Sequence, residues 1–179
     1  MRAENIKREA LRLKAEYKTV SPKEVCAALG IRICEIPMGQ HEQSCKGFLM
    51  HYARCRTAVV NSCLCSDVQG IILTHELGHA VLHADSGIQT FREMTYLDDA
   101  SHMELEANIF AAEFLLDDDE LLSTANEQQD FFRLASAMGV PPEFLDFKLR
   151  LMQREGYDVV PPLIAKSDFL KRDISLPLD

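Results

Sequence analysis

The sequence predicts an α+β fold, a small antiparallel sheet packed on several helices, with a helical C-terminal region. Three observations lead there. Short apolar segments with strand-like alternation cluster between residues 31 and 62, separated by turn residues. Helix-period apolar patterns flank that cluster on both sides. The chain has 179 residues, 47% of them apolar and 26% charged, which suits one domain with a real core.

Residues 4–17 carry the pattern of an amphipathic helix. In "SPKEVCAALG", Ser21 is placed to cap a helix, Pro22 suits its first position and Gly30 stops it, predicting a helix over 22–29. "IRICEI", residues 31–36, alternates and ends at Pro37, as a strand does. "KGFLMHY" and "RTAVVNS" predict two further strands, joined by a short polar turn at 53–56. Ser66 and Asp67 open a helix that runs to about His83 and is closed by "ADSG". Another helix is expected over 102–116, and two more, 127–138 and 142–154, around Gly139-Val140-Pro141. The tail from 156 is rich in proline and is expected to wrap the surface.

Composition excludes several classes. No stretch approaches the roughly 18 apolar residues of a membrane span. "MRAENIKREALRLKAEY" lacks the apolar centre of a signal peptide. A cytoplasmic protein without membrane contact is therefore expected. The six cysteines, Cys26, Cys34, Cys45, Cys55, Cys63 and Cys65, contain no Cys-x-x-Cys pair. They are expected to be buried or half-buried free thiols, rather than a zinc knuckle or a disulfide framework. Nineteen basic against 28 acidic residues give a net charge of −9, which disfavours direct nucleic-acid binding and is compatible with a basic protein partner. The sequence carries no signal for an oligomeric state.

Chemistry concentrates in "THELGHAVLH", residues 74–83. His75-Glu76-Leu77-Gly78-His79 fits His-Glu-x-x-His, two imidazoles one helical turn apart with a glutamate between them. At about 100° per residue, His79 lies only about 40° around the helix from His75, so both can reach one ion. Glu76 lies about 100° away, near enough to meet a water at the metal without ligating it. Neutral imidazoles hold a metal that acidifies water, and the carboxylate accepts the proton. Val68, Ile71, Ile72 and Leu82 share the histidine face, so His75 and His79 are expected to point inward, where imidazoles without partners would be costly. His83 sits two turns beyond His75, about 12 Å along the axis, and is expected to cap the helix or support a ligand rather than be one.

A third ligand has to come from elsewhere, and "HMELEANIFAAEFLL", 102–116, offers carboxylates. Between Leu105 and Leu116 only Glu106, Asn108 and Glu113 are polar, so this helix is apolar nearly all round and should be buried. Glu106 and Glu113 share a face but stand about 10 Å apart along the axis, so one ion can take only one of them. A buried salt bridge to an arginine is the competing reading of Glu113. Glu104 lies about 200° from Glu106 and is expected to face solvent.

"THELGHAVLH" followed by "ELEANIFAAEFLL" resembles the ImmA/IrrE family of metallopeptidases, over roughly residues 5–155. The resemblance implies a zincin-type catalytic core, assigned here to residues 1–125, with 126–179 as a helical extension of the same domain. It implies one zinc ion, or another divalent metal, held by His75, His79 and Glu106, with Glu76 as the catalytic carboxylate. Glu106 is preferred because the family's ligand stands just before Ala-Asn, and because Gly78 leaves room for a helix to approach the motif. Glu113 is then expected in a supporting role. Two departures are visible. This chain has "QGIILT" where members commonly have an Arg-Phe-Thr-like lead, and the acidic "DDDE" at 117–120 where they often have Met-Pro.

The family's implied function is intracellular cleavage of a helix-turn-helix transcriptional repressor, in the setting of mobile elements, prophages or stress responses. An acidic chain suits such a basic substrate. A binding-only antirepressor or sensor is the rival reading, and a different zincin with a histidine third ligand is a second rival. Residues 131–153 have a helix–turn–helix outline of their own, but without a basic cluster a structural or docking role is expected rather than DNA reading.

Overall fold

In a computed structural model, the structure describes residues 1–41, 43–53, 55–83, 98–128 and 130–159, with the side chains of 98–101 left aside. The elements run α1 (Ala3–Tyr17), α2 (Pro22–Ala28), β1 (Ile31–Ile36), β2 (Gly47–Tyr52), β3 (Cys55–Asn61), α3 (Ser66–Leu82), α4 (Asp98–Leu115), α5 (Asp118–Glu127), α6 (Phe131–Ala137) and α7 (Pro142–Arg154). This is an α+β fold with a small sheet and a helical C-terminal region, as expected. The predicted "ADSG" stop and most of the proline-rich tail lie outside the described residues. No helix among the described residues is long and apolar enough to cross a membrane.

The sheet corrects one expectation. Its order is β1-β3-β2, with β2 antiparallel to β3 but β1 parallel to it, so it is mixed rather than antiparallel. The β2–β3 hairpin is tighter than predicted: Tyr52 pairs with Cys55, and Ala53 adopts the left-handed backbone that two-residue hairpins favour. β1 reaches the far side of β3 because the chain between Ile36 and Gly47 crosses the end of the sheet. Asn61, fully buried at the end of β3, holds that crossing. Its amide accepts from the Met38 and Cys63 backbone N–H groups, each at 3.0 Å, and donates to the carbonyls of Gly39 (2.7 Å) and Cys45 (3.0 Å). One saturated side chain thus sets a long-range path that alternation alone cannot reveal.

α3 lies between the sheet and α4, packed against β2 and β3 on one side and α4 on the other. That sandwich explains why ten consecutive or near-consecutive residues from Val68 to Ala80 are buried. Close approach to β2 needs Gly47, where a Cβ would overlap Ile72 and come within 2.9 Å of the Val59 carbonyl oxygen. Arg56 of β3 donates to the Ala80 carbonyl (3.3 Å) and the Leu29 carbonyl (2.8 Å), tying the last turn of α3 to the end of α2. All six cysteines are free thiols, with Cys26 buried and Cys55 and Cys65 exposed.

The acidic "DDDE" is a helix start. Asp117 caps α5 by accepting from the Asp119 and Glu120 backbone N–H groups, and the acidic first turn suits the positive end of a helix dipole. The helix–turn–helix outline becomes α6 and α7, but α7 buries Phe144, Phe147 and Leu151 in the main core and Leu145, Leu149 and Met152 in a second cluster with Leu121 and Leu134. A helix buried on both these faces has none left to lay in a DNA groove.

Glu113 lies 3% exposed against Lys148 of α7, whose Nζ is 2.8 Å away and which also pairs with Asp118 at 2.6 Å. Lys7 of α1 meets Asp118 (2.7 Å) and Glu155. Burial pushes the Glu113 carboxyl above its ordinary range against the pull of Lys148. For Asp118, burial is outweighed by its bonds to Lys148 and Lys7, which hold it below that range. Lys148→Met removes the main cation from a buried carboxylate, and a loss of about 3–5 kcal/mol is expected in denaturant unfolding.

Candidate metal centre

Both motif histidines point inward, with side chains 5% (His75) and 17% (His79) exposed. Their Nε2 atoms are 3.0 Å apart. The third group beside them is Glu104, which sequence patterning had placed toward solvent. Its carboxylate oxygens lie 3.4 Å from His79 Nε2 and 3.7 Å from His75 Nε2. Among the described residues this trio alone brings three such ligand atoms within 4.8 Å of one another. Tetrahedral zinc with bonds of about 2.0–2.1 Å has ligand–ligand edges of about 3.3 Å, so the donor set and its spacing fit the ion.

Glu106 is elsewhere. Its carboxylate is 2.9 Å from His83 Nε2 and also meets the Met1 amine. This placement of the two glutamates has a geometric cause. α4 approaches α3 over Gly78, where a Cβ would stand 3.1 Å from Phe110 Cδ1, 3.2 Å from Phe110 Cβ and 3.3 Å from Ala107 Cα. Ala107 therefore rides on the motif turn, and Glu104, one turn before it, is delivered to the histidines. Glu106 follows the helix about 160° round from Glu104 and meets the end of α3 instead. Gly78 and Ala107, two small residues on facing helices, were the signal that could have chosen between them. Glu113 is far along α4 and serves the Lys148 cluster rather than the histidines.

Larger residues at Gly78 should force these helices apart. Alanine regains about 1 kcal/mol of helix propensity, so valine gives the clearer test. Gly78→Val is expected to lose about 1–3 kcal/mol in denaturant unfolding and to weaken zinc binding in a calorimetric titration, because α4 carries Glu104 away.

His83 lies beside His79 at the end of α3. Its Nδ1 is 3.2 Å from His79 Nδ1 and its Nε2 faces Glu106. Burial, reinforced by His79 and the N-terminal amine, pushes the His83 imidazole down to about 4. Glu76 is 4% exposed, and its Oε1 lies 3.6 Å from where a Cβ on Gly47 would stand, so it borders β2, an edge strand of the sheet. A buried carboxylate one residue from a metal-competent trio, beside an edge strand, can take a proton from water and hand it to a peptide laid along that strand.

Residues 26–150 match the IrrE N-terminal-like domain of the peptidase M78 family. The chain is also similar to "Uncharacterized immunity region protein 2" of Bacillus phage phi105, 34% identical over 143 residues that cover 80% of this chain and 88% of the relative.

Proposed function

The chain belongs to the ImmA/IrrE family of metallopeptidases, and from that premise we propose a zinc-dependent endopeptidase whose ion is held by His75, His79 and Glu104. The observation that carries this reading is the trio itself, with distances of 3.0, 3.4 and 3.7 Å around one point.

His75 and His79 offer neutral Nε2 lone pairs and Glu104 a carboxylate oxygen, a set suited to zinc with one position open. Zinc there supplies a Lewis acid that makes water more acidic and a peptide carbonyl more electrophilic. Glu76 is the general base: its carboxylate takes the proton of the attacking water and returns it to the leaving amine nitrogen. The outer edge of β2 gives an extended substrate a strand to pair with. Gly47 keeps that strand close to Glu76.

The substrate in this reading is a helix-turn-helix transcriptional repressor. Similarity to a phage immunity-region protein supports that setting, and a net charge of −9 favours encounter with a basic DNA-binding protein. Six free thiols suit action in the reducing cytoplasm. The test is incubation with the repressor encoded beside the gene, with and without chelator, followed by mass spectrometry. Chelator-sensitive cleavage at one site is expected. An intact repressor that nevertheless releases its operator would favour a binding-only antirepressor.

A further inference from the structure

We infer that the outer face of β2 selects the substrate: Met50 and Tyr52 take apolar side chains at two positions, two residues apart, of an extended segment paired with that strand. The inference rests on the reading of β2 as the substrate's partner strand and deepens it.

The sheet has two edges, and they differ. β1, with the sequence IRICEI, exposes the charged Arg32 and Glu35, and Glu35 pairs with Lys23 at 3.0 Å. Charges on an edge strand discourage pairing with another chain. β2, with the sequence GFLMHY, has no Asp, Glu, Lys, Arg or Pro, and it leaves Met50 40% and Tyr52 77% exposed. An edge without those guards, next to Glu76, is suited to taking a strand.

Pleating decides which side chains meet it. The Asn61 N–H donates to the Lys46 carbonyl at 2.9 Å, and Tyr52 pairs with Cys55 across the hairpin. Hydrogen bonds to β3 therefore fall at positions 46, 48, 50 and 52, and Gly47 and Leu49 turn their N–H and C=O groups to the open edge. No described strand pairs with β2 on that side. Side chains alternate in the same rhythm. Gly47 lies against Ile72 of α3 and Leu49 packs on the core, whereas Met50 and Tyr52 face the other way, in register with Thr57 and Cys55. A segment hydrogen-bonded to Gly47 and Leu49 places the residues opposite Met50 and Tyr52 on this outer face. In antiparallel pairing these are the non-hydrogen-bonded positions, where side chains stand closest.

The start of β2 offers no such room. Beside Phe48, Val59 is 3% exposed and Asn61 is fully buried, where Asn61 fastens Met38, Gly39 and Cys45 of the crossing segment to that end of the sheet. Met50 and Tyr52 stand three and five residues beyond Gly47, which borders Glu76, or roughly 10 and 17 Å along the strand. The favoured positions therefore lie about three and five residues from the cut, both on one side of it.

The test is a randomised peptide library offered to the zinc-loaded full chain, with products sequenced by mass spectrometry. The same library is bound to the zinc-loaded Glu76→Gln chain. The parent should favour Val, Ile, Leu, Phe or Tyr about two- to fivefold at each of two positions two apart. Met50→Glu combined with Tyr52→Glu should replace this by a preference for Lys and Arg at those two positions and leave the position between them unchanged. Both side chains are exposed, and Tyr52→Glu alone carries the comparison if the double variant fails to fold. No apolar preference at alternate positions in the parent, or a variant that loses all peptides equally, would overturn the inference. So would a concentration-dependent dimer broken by Tyr52→Glu, which would assign the edge to a second copy of this chain. Failure of the peptidase reading looks different: peptides bound with the alternating preference but left uncut with zinc present would sink that reading and uphold the selection by β2.

Discussion

Glu76→Gln is expected to bind zinc within about threefold of the parent chain while losing at least 10²-fold in cleavage rate. The substitution keeps shape and removes only basicity, since an amide cannot take a proton from water. Zinc affinity should survive because Glu76 is not one of the three groups around the ion site. Stability should survive as well, because the replacement fills the same buried space beside Gly47. Zinc titration and repressor cleavage followed by mass spectrometry check both halves. Cleavage at near the parent rate would show that Glu76 is not the base. Loss of zinc would show that it is a ligand.

The second large effect separates two glutamates on one helix. Glu104→Gln removes a ligand oxygen that lies 3.4 Å from His79 Nε2 and is expected to weaken zinc binding by more than a hundredfold. Glu106→Gln touches the ion only through His83 and His79, keeps an accepting oxygen and loses a charge, and should cost about tenfold. Parallel calorimetric titrations decide the matter. Equal losses, or the larger loss at Glu106, would restore the motif-based assignment over the geometric one.

What could be read from the chain alone was local. Ser21-Pro22 and Gly30 bracket α2, Pro37 ends β1, and the spacing of His75 and His79 brings their imidazoles together, because each depends on neighbours within a turn or a few strand residues. The misreadings are all long-range. β1 lies parallel to β3 because Asn61 anchors a crossing segment through three hydrogen bonds to residues distant in sequence. Periodicity could not say which side of α4 meets α3, since that helix is apolar nearly all round. The answer lay in the small pair Gly78 and Ala107. Glu113 was expected in a supporting role at the histidines or in a buried salt bridge to an arginine; the salt bridge is there, but its cation is Lys148 on α7, which no local pattern pairs with it. "DDDE" stood out only as a departure from the family's motif, whereas hydrogen bonds make it a helix cap.

The most direct measurement is a crystal structure of the zinc-loaded chain with anomalous scattering recorded at the zinc edge. One ion is predicted, within about 2.0–2.2 Å of His75 Nε2, His79 Nε2 and a Glu104 oxygen, with Glu106 still on His83. An ion bound through Glu106, or no ion between the two histidines at saturating zinc, would contradict the account.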